Sequence, residues 1–295
     1  MTDPIAQLKS FQPQKKFFVG IDSDGCVFDT MEIKHKECFI PNIIKHWGLQ
    51  AVSKYAREAA EFVNLYSKER GINRWPALIR AFDLLRERPE VQARGVEIPQ
   101  ADAIRQFIAS GEALGNDNLR KRAEMTGDAT LKRGLAWSVG VNDTIADMVK
   151  NVPPFPYVRE SLIRLAGQAD CLVVSQTPTE ALQREWQEHD IAKYARLICG
   201  QEMGTKTEHI RVAADGRYEP GRMLMIGDAP GDLKAARANH ALFYPINPGE
   251  EDKSWKRFHD EAIDKFFSGT YTADYEKALI EEFDRHLPEL PPWKR

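Results

Sequence analysis

The chain has 295 residues and a formal net charge of −3, with 42% hydrophobic and 29% charged residues. This balance, together with 19 glycines and 17 prolines, excludes a disordered chain and a collagen-like one. It also argues against a nucleic-acid-binding protein, because there is no excess of Lys and Arg to neutralise phosphates. The length suits one large domain or two smaller ones.

The sequence shows no membrane or export signal. Its apolar runs stay below the roughly 20 residues that span a bilayer, and the N-terminal stretch lacks the apolar centre of a signal peptide. The cysteines lack CxxC spacing, so we expect reduced, mostly buried thiols in a cytoplasmic protein. They are Cys26, Cys38, Cys171 and Cys199.

Five short apolar runs bounded by turn residues predict buried parallel strands. They are Phe17–Ile21, Cys171–Ser175, Leu197–Cys199, Met223–Gly227 and Ala241–Ile246. Helical patterns alternate with the later runs, at Val158–Ala166, Pro178–His189, Lys206–Ala214 and Leu233–Ala238. Alternating strands and helices predict an α/β fold with a doubly wound, mainly parallel, Rossmann-like sheet. In the second helix, Thr177 is expected as the N-cap and Pro178 as the first helical residue.

Residues 31–152 follow a different pattern, with apolar residues recurring at three- and four-residue spacing. This region ends in a proline-rich segment, Val152–Pro156, which cannot continue a helix. We therefore expect an all-α domain over 31–152, inserted into an α/β domain made of 1–30 and 153–295. Two later amphipathic stretches, Trp255–Phe267 and Tyr275–Leu287, are expected to pack on the α/β core.

Acidic residues follow two of the predicted strands directly. They are Asp22 and Asp24 after the first strand, and Asp228 and Asp232 after the fourth. Ligands of open α/β sheets bind at the carboxyl ends of the strands, so we expect these carboxylates to converge. Gathered carboxylates disfavour one another's ionised forms, and a hard cation such as Mg²⁺ relieves this. Taken singly, each motif also fits a turn with a helix-capping carboxylate.

Four motifs stand in a recognisable order along the chain. They are Asp22–Gly25, Ser175 at the end of an apolar strand, Lys206, and Asp228–Asp232. In this set the chain resembles the phosphatase branch of the haloacid dehalogenase-like superfamily, over roughly residues 15–30 and 155–247. The resemblance implies that the inserted region is a helical cap, as in β-phosphoglucomutase-like and phosphoglycolate phosphatase-like members.

The resemblance also implies roles for these residues. Asp22 would be the nucleophile and Asp24 the general acid and base. Mg²⁺ would be held by Asp22, the Asp24 carbonyl and Asp228, with Asp232 binding directly or supporting the ligands. The phosphoryl group would be bound by Ser175, Gln176 and Lys206, and Lys206 would also act in catalysis by steadying charge.

The expected function is that of a Mg²⁺-dependent phosphatase acting on a small phosphorylated metabolite through an aspartyl-phosphate. A phosphomutase or other phosphoryl transferase using the same residues is one alternative, and a catalytically idle binding protein with this fold is another. The presence of Asp24 favours both phosphoryl-transfer functions over a dehalogenase. The sequence leaves the substrate and the oligomeric state open.

Two residues of the inserted region are candidates for contacting the substrate. Arg74 falls on the position of an arginine in the cap loop of β-phosphoglucomutase-like members. It is equally compatible with a solvated arginine at the start of a helix. Lys34 lies at the position where such members often have a histidine, five residues after Asp29.

Overall fold

The computed structural model describes residues 4–294, and within them five strands form one parallel sheet. The strands are β1 (Phe17–Ile21), β2 (Ala169–Val174), β3 (Leu197–Cys199), β4 (Met223–Gly227) and β5 (Leu242–Pro245). Their order in the sheet is β3-β2-β1-β4-β5, and every pair is parallel. This confirms the predicted α/β fold, with the strands within two residues of their expected bounds.

Sixteen α-helices are present in the described part of the chain. The first eight α-helices of the described chain are α1 (Pro4–Lys9), α2 (Thr30–Ile33), α3 (Ile40–Trp47), α4 (Ser53–Leu65), α5 (Arg74–Arg86), α6 (Pro89–Ala93), α7 (Asp102–Ala109) and α8 (Asn116–Thr126). They are followed by α9 (Ala129–Met148), α10 (Val158–Gln168), α11 (Thr179–Glu188), α12 (Lys206–Ala214), α13 (Pro230–Ala238), α14 (Glu251–Arg257), α15 (Ile263–Ser268) and α16 (Ala273–His286). Two π-helical turns occur at Lys34–Phe39 and Phe258–Ala262, and short 3₁₀ turns occur at Gln50–Val52, Ala192–Tyr194, Gln201–Met203 and Pro292–Lys294. No helix in this part of the chain is both long enough and apolar enough to cross a membrane.

Apart from Asp170 in β2, the strands carry no charged residue, because both faces of the sheet are covered. All residues of β2 and β4 are buried. Alternate residues of β1 join different apolar clusters, with Val19 and Ile21 on one face and Phe18 on the other. This explains why the sequence shows continuous apolar runs here instead of alternation of apolar and polar residues.

The register brings the carboxyl ends of the three central strands to one edge. Ile21 at the end of β1 pairs with Val173 of β2 and with Ile226 of β4. The Asp22 amide extends this pairing by donating to the Ile226 carbonyl at 3.0 Å. The segments that follow β1, β2 and β4 therefore leave the sheet side by side.

The chain divides into two compact units. One comprises the residues up to Met31 together with Asn151–Leu287, and it contains the whole sheet. The other comprises Glu32–Lys150 together with the residues from Pro288 onward, and its regular structure is helical. The first two boundaries lie within two residues of the predicted ones. The tail after Leu287 is grouped differently, since the sequence prediction places it with the α/β domain.

The helical unit has a core of its own, built around aromatic rings. The Trp75 ring meets the Trp137 ring edge-on, with centroids 5.4 Å apart, and the Phe107 ring at 6.3 Å. Trp47 and Phe82 form a similar pair at 5.1 Å. These rings come from helices α3, α5, α7 and α9, so the three- and four-residue spacing of the sequence is the pattern of this core.

Trp293 is the reason that the C-terminal tail belongs to the helical unit. The Arg88 guanidinium lies 4.3 Å from the centre of the Trp293 ring and 4.6 Å from that of Tyr55, between the two aromatic faces. The Trp293 ring also meets Phe62 edge-on, with centroids 6.0 Å apart. Cation–π and aromatic contacts of this kind attract most strongly when partly shielded from water. The tail thus packs against α4 and against Arg88, which directly precedes α6.

We predict that Trp293→Ala weakens the helical unit. The lost ring contacts should lower the free energy of unfolding by about 1–3 kcal/mol, measured by urea denaturation with far-UV circular dichroism. Amide hydrogen exchange should rise in α4 and α6. Lys294→Ala is the matched control, because its exposed ion pair with Glu87 contributes little. Equal behaviour of the two variants would contradict this role of Trp293.

Candidate active site

The loop after β1 turns back on itself immediately. The Ser23 carbonyl accepts hydrogen bonds from the amides of Cys26, Val27 and Phe28, at 2.8 to 3.3 Å. Gly25 has a φ of +76°, a left-handed conformation that glycine adopts without steric cost. This turn keeps both Asp22 and Asp24 at the end of the strand.

Two buried tryptophans hold this loop in place. The Trp186 indole N–H donates to the Ser23 hydroxyl oxygen at 3.0 Å. The Trp255 indole N–H donates to the Cys26 carbonyl at 2.7 Å. Because both indoles are fully buried, they satisfy loop atoms that water cannot reach.

Three of the four predicted aspartates form a tight carboxylate cluster. One oxygen from each of Asp22, Asp228 and Asp232 lies within 4.8 Å of the others. All three side chains are buried, with 5%, 1% and 0% of their surface exposed. Oxygen ligands at this spacing are suited to a hard divalent cation. The fourth aspartate, Asp24, is half-buried and makes other contacts, described below.

Lys206 bridges this cluster from the start of α12. Its Nζ lies 2.7 Å from Asp22 Oδ2 and 2.7 Å from Asp232 Oδ1. Burial lowers the pKa of Lys206, but the two carboxylates raise it by more, so the net pKa lies well above the ordinary value. A capping box between Thr205 and Glu208 fixes the helix start, and hence the origin of the lysine side chain.

The charges in the cluster do not balance. Burial raises the pKa of Asp22, and Asp232 and Asp228 raise it further, while Lys206 opposes them. Three carboxylates face one ammonium group, which leaves an excess of negative charge in a buried site. A bound cation is the usual way in which proteins stabilise such an arrangement.

Asp232 lies against the end of β4 because position 227 has no side chain. A Cβ on Gly227 would lie 2.3 Å from Asp232 Cγ and 2.4 Å from its Cβ, far closer than atoms pack. Asp232 Oδ2 accepts from the Ala229 amide at 3.0 Å, and its Oδ1 accepts from Lys206. Because both of its oxygens accept hydrogen bonds, Asp232 holds the loop after β4 and the Lys206 side chain in place.

Asp24 is held by two hydroxyl groups. Thr30 donates to its Oδ1, and Thr177 donates to its Oδ2 at 2.5 Å. Each bond occupies a different oxygen, so together they fix the plane of the carboxyl group. Thr30 is at the beginning of α2, whereas Thr177 belongs to the loop after β2.

Two of the three predicted phosphate-binding residues, Ser175 and Gln176, lie on that same loop. Ser175 is buried, and its hydroxyl oxygen accepts from the Thr177 amide at 3.2 Å. The exposed Gln176 uses its side-chain amide to bridge the carbonyls of Ser175, at 3.2 Å, and Gly204, at 2.9 Å. Gln176 therefore ties the β2 loop to the loop before α12, which carries Lys206. Their binding of phosphate stays a prediction.

The two predicted substrate contacts belong to the helical unit. Arg74 begins α5, and its Nη1 lies 2.7 Å from Ser138 Oγ and 2.9 Å from Asn142 Oδ1. Its guanidinium also lies 5.1 Å from the centre of the Phe39 ring. These contacts give Arg74 a packing role within its own unit. Lys34 is buried in a π-helical turn, and its role toward substrate stays a prediction.

The start of α11 differs from the sequence prediction. The helix begins at Thr179 with Pro178 as its N-cap residue, one residue later than expected, and Thr177 does not cap it. Glu202 does so instead, because its Oε2 accepts from the Thr179 amide at 3.0 Å and from the Thr179 hydroxyl at 2.7 Å. Sequence reasoning missed this because Glu202 comes from another loop.

Sequence reasoning also missed the residues that orient the recognised ones. Thr30, Thr177, Trp186 and Trp255 all bond to the Asp22–Cys26 loop. Gly227 carried a signal, since a glycine directly before the second acidic motif indicates a close backbone approach. The tryptophans carried none, because their partners are more than 150 residues away.

The chain is similar to several solved structures, at low sequence identity. No family model matches the chain, and no curated protein matches it. A haloacid dehalogenase-like family hydrolase from Streptococcus pneumoniae is 14% identical with a TM-score of 0.47, covering 86% of this chain and 98% of its own. A predicted phosphoglycolate phosphatase from Haemophilus somnus is 15% identical with a TM-score of 0.42, covering 79% and 86%.

A haloacid dehalogenase-superfamily hydrolase from Geobacter sulfurreducens is 16% identical with a TM-score of 0.40, covering 80% of this chain and 89% of its own. These neighbours are named hydrolases and phosphatases of the superfamily that the sequence motifs resemble. At such identities and scores the likeness carries no conclusion about this chain. What the chain does has to be inferred from the carboxylate cluster and its lysine.

His209 lies one helical turn after Lys206 and is completely buried. Burial, with a further contribution from the charge of Lys206, lowers the pKa of His209 from 6.5 to about 4. The folded protein therefore keeps this imidazole neutral where the unfolded chain would protonate it.

We predict that His209 makes the protein less stable in mild acid. Its stabilising effect is complete above pH 6.5 and is lost as the pH falls toward 4, because only the unfolded state gains the proton. Wild type should lose about 2 kcal/mol of unfolding free energy at pH 5 relative to His209→Leu. Urea denaturation of both proteins at pH 7 and pH 5 measures this. Parallel pH dependence of the two would contradict it.

Proposed function

We propose that the chain is a Mg²⁺-dependent phosphatase that hydrolyses a small phosphorylated metabolite through an aspartyl-phosphate on Asp22. The observation that carries the proposal is the Lys206 ammonium, shared between Asp22 and Asp232 beside Asp228. A lysine shared between two carboxylates of a buried acidic cluster suits a site that accepts both a cation and an anion. A phosphate monoester in the company of a divalent metal meets both requirements.

The donor set supports a metal of the Mg²⁺ type. Asp22 and Asp228 would hold the ion with carboxylate oxygens, and Asp24 would hold it with its backbone carbonyl oxygen. Asp232 would place Lys206 beside these ligands. Such hard oxygen donors suit Mg²⁺, which commonly binds one or two carboxylates together with substrate phosphate. When bound, the ion would offset charge on the carboxylates and on the phosphoryl oxygens.

In the first step, an Asp22 carboxylate oxygen would attack phosphorus. The new P–O bond forms as the bond to the ester oxygen breaks, and Asp24 supplies the proton that this leaving oxygen requires. Lys206 would stabilise the charge of the transferring group while remaining bonded to Asp22. Ser175 and Gln176, which are the residues expected to bind phosphate, would bind its remaining oxygens.

In the second step, a water molecule would attack the aspartyl-phosphate. Asp24, now ionised, takes a proton from the water as its oxygen bonds to phosphorus. The acyl phosphate P–O bond breaks, which regenerates the Asp22 carboxylate and releases inorganic phosphate. The hydroxyl groups of Thr30 and Thr177, which donate to Asp24, keep its carboxyl group in place for both proton transfers.

The helical unit would supply contacts that select the substrate. Arg74 and Lys34 are the candidates from the sequence, and Arg74 would have to combine this role with its bonds to Ser138 and Asn142. A cytoplasmic location is likewise part of the proposal. A transfer of the phosphoryl group to a second metabolite would use the same residues, and product analysis separates the two outcomes.

We predict that Asp22→Asn abolishes turnover of p-nitrophenyl phosphate in the presence of Mg²⁺. The amide has the shape of the carboxylate but is not a nucleophile, so kcat should fall by about 10³-fold or more. Asp215→Asn, at an exposed position near the end of α12, is the matched control and should keep full activity. Turnover near the wild-type value in Asp22→Asn would exclude Asp22 as the nucleophile.

We predict that removal of divalent metal stops the reaction reversibly. Dialysis against EDTA should eliminate hydrolysis, and added Mg²⁺ should restore it, because the cluster carries excess negative charge without a cation. Isothermal titration calorimetry of Mg²⁺ gives a readout independent of turnover, and Asp228→Asn should weaken the binding. Activity that survives exhaustive chelation would remove the metal from the mechanism.

A further inference from the structure

Thr177 contacts Asp24 from a hydrogen-bonded loop of the α/β unit. Its amide donates to the Ser175 hydroxyl oxygen at 3.2 Å, and its carbonyl accepts from the Gln201 amide at 3.1 Å. The backbone on which the Thr177 hydroxyl sits is thus tied on both sides. The 2.5 Å bond to Asp24 Oδ2 is a contact between two well-anchored loops.

Gly200 makes this anchoring sterically feasible. A Cβ at position 200 would lie 2.7 Å from the Thr177 carbonyl oxygen and 2.5 Å from the Thr179 amide nitrogen. Only a residue without a side chain lets the segment after β3 approach closely enough for Gln201 to bond to Thr177. Three loops therefore meet at this point: those after β1, β2 and β3. The last of these leads into α12, and its Gly204 carbonyl accepts from Gln176.

The Thr177 hydroxyl is available for Asp24 because the helix does not need it. A threonine directly before a proline-started helix commonly caps that helix through its side chain. Here Glu202 provides the cap by accepting from both the amide and the hydroxyl of Thr179. Glu202, in a neighbouring loop, therefore caps the helix. The Thr177 hydroxyl, which was expected to cap it, bonds to Asp24, the proposed general acid.

We propose that Thr177 is a positioning residue for proton transfer by Asp24. The inference rests on the proposed phosphatase function, and it adds a residue to which neither the motifs nor the comparisons give a role. The hydroxyl holds Oδ2, and thereby the plane of the carboxyl group, in the orientation from which Asp24 gives its proton to the leaving oxygen. Thr30 holds the other oxygen from the start of α2.

The chemistry gives this role a distinctive signature. In the first step the Asp22–phosphorus bond forms, the ester P–O bond breaks and the Asp24 proton passes to the departing oxygen. A leaving group that is a weak base can depart without being protonated. A strongly basic leaving group needs the proton from Asp24. Misplacing Asp24 should therefore slow poor leaving groups selectively. Damage to phosphate binding or to folding would slow every ester alike.

The test compares three esters with graded leaving groups: phenyl phosphate, p-nitrophenyl phosphate and 2,4-dinitrophenyl phosphate. Wild type, Thr177→Val and Thr177→Ser are assayed with Mg²⁺, and kcat/KM is used because it reports the first phosphoryl transfer. Thr179→Val is the matched control, since it removes a hydroxyl of the same segment that bonds to Glu202 instead of Asp24. Thr177→Ala replaces the valine variant if the latter does not fold.

Thr177→Val should lower kcat/KM by about 10- to 100-fold for phenyl phosphate, and by less than about 3-fold for the dinitrophenyl ester. Thr177→Ser should restore the wild-type profile, and Thr179→Val should leave the slope across the series unchanged. Equal losses on all three esters, or no loss, would overturn the positioning role while wild-type hydrolysis still supported a phosphatase. A wild type inactive toward all three esters would overturn the proposed function, and this inference with it.

Discussion

The Lys206 ammonium between Asp22 and Asp232 is the interaction around which the α/β unit is organised. It joins the residue directly after β1 to residues of α12 and α13 in a buried place, with both Nζ–O distances at 2.7 Å. Removing one partner from a buried ion pair leaves an uncompensated charge, which is strongly destabilising. The strand order, the capping box of α12 and the bare backbone at Gly227 all serve to let these three groups meet.

The sequence predicted the parts of this site that are local in the chain. Asp22, Asp24, Asp228 and Asp232 each follow an apolar strand closely, so the parallel topology alone brings them to one edge. Lys206 was recognised through motif order, and the structure places it on Asp22. Position in this sense is predictable because strand periodicity and turn residues are encoded within a few residues of each motif.

Orientation was much harder to predict, because it comes from partners distant in sequence. Trp186 and Trp255 hold the first loop, and nothing near them in the chain indicates this role. At Thr177 the local pattern was misleading, since the signature of an N-cap is present but Glu202 takes over that function. A threonine hydroxyl can form a hydrogen bond equally well with a helix amide or with a carboxylate. Which of the two it bonds to depends on the folded structure and not on the neighbouring sequence.

The C-terminal tail has a consequence for how the protein is made. Lys294 pairs with Glu87 across 207 positions of the chain, and Trp293 reaches Arg88 and Phe62 over a similar span. During synthesis, α4 and α6 emerge from the ribosome long before the residues that pack on them. The helical unit therefore acquires these aromatic contacts only after β1 to β5, which end at Pro245, have been made.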